Sequence, residues 1–287
     1  MKRGVKYYLM LVLVGAALYG VYHVMVSVLD APLYLVLLVY LTIMAAYLHF
    51  NRKNAWAVRG NYYYISGNIE LARTTLKKAI DAGTKSPSAH IYYALILLRQ
   101  EKNTAEAFKL LEKVKSLITS VMDERNYITA LATCYWLDGN LDKGIEVLED
   151  MRNGHEYTNA GVLTTLGFMY IIKGNYDAAR KVTQEALADD ESYGAAWDNM
   201  GQICYKIGDM AGAKENFNKA LEKRENLADA NYYLGLIAEQ DGETASAAEY
   251  FRKASICTLG FFNTATAEKI NAKYEEYVEL SEREGDE

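Results

Sequence analysis

The stretch from 163 to 186, LTTLGFMYIIKGNYDAARKVTQEA, has the pattern of two short helices folded back on each other. Gly174 favours the left-handed conformation that ends a helix, and Asn175 is suited to cap the next helix. Gly167 and Ala179 leave no bulk where the two helices would cross. One such hairpin cannot bury its apolar face alone, so the pattern predicts several copies stacked side by side.

Further copies occur at intervals of 34 to 37 residues along most of the chain. The small residue of each second helix forms a column: Ala72, Ala107, Gly144, Ala179, Ala213 and Ala247. The turns between paired helices form another: Gly67-Asn68, Lys102-Asn103, Gly139-Asn140, Gly174-Asn175, Gly208-Asp209 and Gly242-Glu243. A third column holds the small residue of the first helices: Gly60, Ala132, Gly167, Gly201 and Gly235, with Leu95 as the exception.

These columns resemble the tetratricopeptide repeat over roughly Lys53 to Leu259. The resemblance implies an all-α fold, a right-handed solenoid of about six helix-turn-helix repeats that binds peptides or proteins. The second repeat departs most from the pattern, with Leu95 for the small residue and Lys102 for the turn glycine. The proline that the family places after the second helix is missing in every repeat, so those helices must end on other signals.

Two uncharged stretches precede the repeats, at residues 7–29 and 33–50. Each is close to the ~20 residues that cross a bilayer, and the break at Pro32 predicts a transmembrane helical hairpin. Basic residues flank both open ends and only Asp30 lies in the turn, which predicts that both termini are cytoplasmic. We expect a two-pass integral membrane protein, with a prokaryotic plasma membrane favoured.

A cleavable signal peptide is the alternative for residues 1–20, but the apolar run is long and its small residues lie inside it. Only residues 51–54 separate the second span from the first repeat. This short junction predicts that the solenoid lies directly against the membrane in a fixed orientation.

The pattern divides the chain into a hairpin (residues 1–52), the solenoid (residues 53–260) and a C-terminal part (residues 261–287). Apolar residues at helical spacing predict a helix from Phe262 to Glu282, followed by an acidic tail. It resembles the capping helix of such solenoids. An amphipathic helix that binds a partner is the alternative.

Nothing in the sequence predicts an enzyme, a metal site or a cofactor. The four histidines do not cluster, the three cysteines are far apart, and repeat columns account for ten of the twenty glycines, with no phosphate-binding glycine loop among them. The chain has a net charge of −6 although residues 1–53 are basic, so the repeats are strongly acidic. An acidic repeat domain argues against nucleic acid as a partner.

Function is then expected from the concave groove, which in this family is lined by first-helix positions not used for packing. The predicted groove residues are Tyr92, Ile96, Arg99, Thr133, Trp136, Phe168, Ile171, Gln202, Tyr205 and Tyr232, with Tyr64, Thr129, Thr164, Asp198 and Leu236 beside them. Aromatic side chains offer large contact area at low entropic cost, which suits a peptide anchor. The alternative is that neighbouring repeats bury several of them.

One subclass of the family grips acidic peptide tails with a clamp of lysine, asparagine and arginine. The corresponding positions here hold Ala57, Asn61 and Tyr93, then Asp198, Asn199 and Asp229, so this clamp is absent. We therefore expect an apolar, aromatic or mildly basic protein segment as ligand.

Two functional hypotheses follow. The first is a membrane scaffold or adaptor whose groove binds a protein at the cytoplasmic face. The second is a structural subunit of a larger membrane complex for secretion, transport or envelope synthesis, which contacts lipid and other subunits through its hairpin.

Overall fold

The computed structural model describes residues 3–154 and 158–285, and side chains for 12–154 and 158–280. This part of the chain contains fourteen α-helices, one π-helical turn and no β-strand. In chain order the elements are α1 Arg3–His23, a π-helical turn Val24–Val28, α2 Leu33–Ile65, α3 Ile69–Asp81, α4 Pro87–Gln100, α5 Thr104–Lys115, α6 Val121–Leu137, α7 Leu141–Asn153, α8 Ala160–Lys173, α9 Tyr176–Asp189, α10 Gly194–Lys206, α11 Met210–Lys223, α12 Ala228–Gln240, α13 Thr244–Ser255 and α14 Ala267–Gly285.

From α2 to α13 the helices pack as six consecutive antiparallel pairs, as the repeat columns predict. The small residues let the paired helices approach closely. A Cβ atom added to Gly201 would lie 2.5 Å from the ring of Phe217, and one added to Gly235 would lie 2.7 Å from the ring of Phe251. Both phenylalanines are fully buried. Glycine at these sites therefore makes room for an aromatic side chain of the partner helix.

The turns within the six pairs share one geometry. The first turn residue has a positive φ in the five repeats that carry glycine there, and Lys102 adopts the same conformation with φ 50°. A left-handed conformation is unfavourable for lysine, which makes the second repeat the strained member of the set. An asparagine or aspartate after this residue accepts a backbone N–H and caps the next helix, at Asn68, Asn103, Asn140, Asn175 and Asp209.

A single helix connects the N-terminal region to the first repeat, where the sequence predicts a short junction. Helix α2 runs for 33 residues without interruption and also forms the first helix of the first repeat. Asp30, with φ 48°, reverses the chain before it, and the Tyr40 hydroxyl donates to the Leu18 carbonyl across the bend at 2.6 Å. The residues expected to form a junction, 51–54, are helical.

Within the described residues, α2 is the one helix long and apolar enough to cross a bilayer. The apolar helical stretch Val12–Val28 is shorter. That the first stretch also crosses a membrane stays a prediction.

The C-terminal helix begins at Ala267, five residues later than the apolar spacing predicts. Residues 256–266 before it form no regular helix. Helix α14 nevertheless packs on α13: the ring of Tyr277 lies 5.2 Å from that of Phe251, and Lys273 donates to Glu239 of α12 at 2.7 Å. It thus covers the open end of the sixth repeat.

Candidate functional site

Residues 256–266, which we call the strap, lie against the first helices of successive repeats. The strap contacts side chains from α4, α6, α8, α10 and α12, although these helices are far apart in sequence. Each of these helices is the first of its repeat. They therefore share one face of the solenoid, its groove, and the strap occupies that groove.

The aromatic centre of the groove is built around a strap residue. The ring of Phe262 stacks on Trp136 at a centroid distance of 6.3 Å and meets Phe168 edge to face at 5.3 Å. Trp136 and Phe168 also meet edge to face, at 5.3 Å. Such arrangements add to the stabilisation from buried area, by about 0.5–1.5 kcal/mol per pair.

A buried carboxylate holds the other end of the strap. Asp229, which is 1% exposed, accepts the backbone N–H of Thr264 at 2.7 Å and that of Ala265 at 3.0 Å. The Thr264 hydroxyl hydrogen-bonds to Gln202 at 2.9 Å and to the Asp229 carboxylate at 3.2 Å. Two of these contacts go to backbone N–H groups, which any residue except proline can supply, and two go to the Thr264 hydroxyl.

A third group of contacts fixes the start of the strap. Arg99 of the second repeat donates to the carbonyl oxygen of Leu259. Phe261 packs against a core cluster that extends over the first three repeats. The strap therefore links the second repeat to the sixth across the groove.

Two carboxyl groups are buried beside the strap. The Gln202 amide donates to Asp198 at 2.8 Å and to Asp229 at 3.1 Å. Burial, and then the charge of Asp229, raise the pKa of Asp198 well above its usual value. Burial also raises the pKa of Asp229, against the hydrogen bonds that its carboxylate accepts from the strap. Burial therefore disfavours the charged form of both carboxyl groups in this part of the groove.

The strap leaves part of the groove empty. A cavity of about 320 Å³ lies between it and α8, α10 and α12, and a second of about 530 Å³ extends toward α4 and α6. Phe262 lines both cavities. The groove consequently has room for side chains larger than those the strap supplies.

The ten predicted groove residues fall into three groups. Arg99 is exposed; Tyr92, Trp136, Tyr205 and Tyr232 are half-buried; Ile96, Thr133, Phe168, Ile171 and Gln202 are buried. Four of the ten contact the strap, namely Arg99, Trp136, Phe168 and Gln202.

The remaining six have other neighbours. Ile96 and Ile171 pack in cores between helices, and the Thr133 hydroxyl donates to the Thr129 carbonyl at 2.7 Å. Tyr92 stacks on Tyr64 at a centroid distance of 4.4 Å. The rings of Tyr205 and Tyr232 lie beside Tyr233 at 4.8 and 5.6 Å.

The sequence reasoning missed the strap itself. The predicted helix from Phe262 to Glu282 begins within the strap and so places Phe262 in the C-terminal helix. The available signal was Gly260 between apolar residues that follow no helical period. The sequence indicates only that Asp229 stands at a position where the acidic-tail clamp is absent. The structure shows its carboxylate accepting hydrogen bonds from backbone N–H groups.

The chemistry available elsewhere in the described chain is limited. Burial raises the pKa of the Cys134 thiol to about 12 and also raises that of Cys204 and Cys257, which disfavours the reactive thiolate. No group of three or more histidine, cysteine or acidic side chains is placed to bind a metal ion among the residues that the structure describes. The geometry suits binding of a polypeptide.

Comparison with solved structures shows related architecture in proteins of low sequence identity. PilW, a widely conserved type IV pilus biogenesis factor, has a TM-score of 0.55 and 19% identity, with 70% of this chain and 91% of PilW covered. PilF of Pseudomonas aeruginosa has a TM-score of 0.53 and 15% identity, with 79% of this chain and 97% of PilF covered. The Cut9–Hcn1 assembly of the APC/C has a TM-score of 0.60 and 18% identity, with 79% of this chain but 43% of that chain covered.

At these identities the likeness concerns the fold. No curated protein matches the sequence. The family model described as Tetratricopeptide repeat matches residues 58–117, 173–227 and 205–257, which together make up just over half of the chain. With six helical pairs in the structure, this match shows that the chain belongs to the tetratricopeptide repeat family.

Proposed function

We propose that this protein is a membrane-anchored adaptor that binds an extended segment of another protein in its groove. The observation that carries the proposal is the seating of Phe262 between Trp136 and Phe168. It supports a groove that accepts a polypeptide with an aromatic side chain. Contacts from Arg99 and Asp229 to backbone atoms supply the remaining affinity without demanding a particular sequence.

The partner segment is apolar, aromatic or mildly basic. The ring site accepts an aromatic side chain, and the acidic surface of the repeats attracts basic segments and repels nucleic acid. No step of this function requires catalysis, a metal or a cofactor. We therefore propose a non-enzymatic role.

The anchor is the N-terminal hairpin, residues 1–52, with both termini and the solenoid cytoplasmic. Support comes from the apolar exposed face of α2, the reversal at Asp30 and the basic residues at both open ends. Because α2 continues into the first repeat, the groove is held at a fixed angle to the bilayer.

A pull-down from native membranes tests the groove. The full chain carrying Trp136→Ala and Phe168→Ala is compared with wild type and with Ile207→Ala, which alters an apolar side chain exposed in an inter-helix turn. We expect wild type and Ile207→Ala to retain the same protein partner and the double variant to lose it. Unchanged partners in all three would contradict the groove assignment.

A second candidate function is assembly of a larger membrane complex through the hairpin. The unbroken α2 favours it, because contacts made in the bilayer would be transmitted rigidly to the repeats. Replacing residues 1–32 and the membrane part of α2 with an unrelated hairpin separates the two candidates. The adaptor retains partner binding after the exchange, whereas the assembly subunit loses its place in the complex.

A further inference from the structure

We infer that the strap is a built-in occupant of the groove, which a partner segment of the same chemistry must displace. This inference rests on the proposed function. It adds the identity of the competing occupant and the features that a partner needs: an aromatic side chain for the Trp136–Phe168 site, with two consecutive backbone N–H groups for Asp229 following it.

Several features of the strap allow it to leave the groove. It has no regular helix, and Ile256, Thr258 and Gly260 are exposed, so it contacts the groove with only part of its surface. Its contacts to the repeats are the ring of Phe262 in the aromatic centre, the packing of Phe261 and Ala265, and a few hydrogen bonds. A segment held in this way opens at lower free energy than the packed helices around it.

Both helices that flank the strap have contacts outside it, although the strap residue Ala265 is buried together with Ala254 and Ile270. Helix α13 buries Phe251 and Ala254 in the sixth repeat, and α14 docks through Ile270 and Tyr277. The strap can therefore leave the groove as a loop while α14 remains in place. Loss of the strap does not require unfolding of the solenoid end.

Tethering makes the strap a strong competitor. An occupant joined by a short connection has an effective concentration on the order of millimolar, so a free partner must bind well to displace it. The apparent affinity for a partner equals its affinity for the open groove multiplied by the fraction of molecules in which the groove is open. The strap thus sets a threshold below which weak, non-specific segments do not bind.

A labelled peptide with the sequence of residues 257–266, carrying Cys257→Ser, tests the inference by fluorescence anisotropy on the full chain in detergent. The strap-opening variant is Phe262→Ala, and the matched control is Ile256→Ala on an exposed strap residue. We expect the peptide to bind Phe262→Ala at least about tenfold more tightly than wild type or the control. Adding Trp136→Ala to the opened variant should remove this binding.

Equal affinities for the three proteins, or binding that survives Trp136→Ala, would overturn the inference. If circular dichroism shows that Phe262→Ala does not fold, Thr264→Val takes its place as the strap-opening variant. Its affinity for the peptide is then compared with those of wild type and Ile256→Ala. Thr264→Val keeps the size of the side chain and removes the hydroxyl contacts to Gln202, Asp229 and Tyr233.

The two proposals fail in different ways. Peptide exchange without any partner retained from membranes would contradict the proposed function alone. Retention of a partner that depends on Trp136, without peptide exchange, would contradict this inference alone.

Discussion

Arg99 and Leu259 lie 160 positions apart, and the guanidinium of the first donates a hydrogen bond to the carbonyl oxygen of the second. This contact spans the groove from the second repeat to the segment that follows the sixth. With the seating of Phe262, it makes the chain's own strap the occupant of the surface that binds ligands in such solenoids.

The close crossing of paired helices predicts a strong effect of one methyl group. Gly201→Ala would place Cβ 2.5 Å from the ring of the buried Phe217, so we expect the free energy of unfolding to fall by about 1–3 kcal/mol. Gly154→Ala is the control, because its Cβ would have ordinary contacts at 3.5 Å. Chemical denaturation measures both, and equal stabilities would contradict the packing.

The buried carboxyl of Asp198 predicts a pH dependence. Because its pKa is raised on folding, the folded state holds this proton more tightly than the unfolded chain does. The group's favourable contribution is full below the unfolded pKa of about 3.9 and is lost as pH rises through the higher folded pKa.

Asp198→Asn removes this titration. We expect thermal unfolding of the variant to lose less stability than wild type as pH rises above about 4. Asp150→Asn, at an exposed position, should follow the wild-type curve. Parallel curves for wild type and Asp198→Asn would contradict the assigned burial.

Arg152 joins the third and fourth repeats through a half-buried network. It donates to Glu149 at 2.8 Å and to both carboxylate oxygens of Glu185, at 2.6 and 2.7 Å. We expect Arg152→Gln to lower the free energy of unfolding by about 2 kcal/mol, since Glu185 loses both hydrogen bonds from the guanidinium and Glu149 keeps only the one from the Tyr170 hydroxyl. Lys109→Gln, at an exposed ion pair, should change it by about 0.5 kcal/mol or less. Equal losses of unfolding free energy for the two variants in denaturation experiments would contradict a stabilising role of the Arg152 network.

Substitutions at two exposed positions on α2 test which part of this helix lies in the membrane. Leu41→Asp should disfavour insertion by about 2.5–3.5 kcal/mol, because a charge would lie mid-membrane. Val58→Asp changes an equally exposed apolar side chain on the same helix and should have no effect on insertion. A glycosylation-based insertion assay reports both, and identical insertion of the two variants would speak against the anchor.

The repeat architecture could be predicted from the sequence because the same pattern of small residues and turn residues recurs in every repeat. Gly201 and its equivalents mark the crossings, and even Lys102 adopts the turn conformation that its column requires. The strap could not be predicted in this way, since it occurs once and contacts residues far away in sequence. Nothing in the sequence pairs Phe262 with Trp136 and Phe168, and only the folded structure shows that the three rings meet.

The groove residues were predictable only in part for a related reason. Family positions locate Trp136 and Phe168 on the correct face, but burial depends on local packing that the pattern does not encode. Ile171 lies on the same helix as Phe168 and packs against Met200 and Ile203 instead.

Hydrogen exchange of the full chain is the most direct test of the central claim that an extended segment occupies the Trp136–Phe168 site. We predict that the amides of Thr264 and Ala265 are protected in wild type and exchange faster in Phe262→Ala, while α14 is unchanged. Rapid exchange of these amides in wild type, or identical protection in Phe262→Ala, would contradict the account.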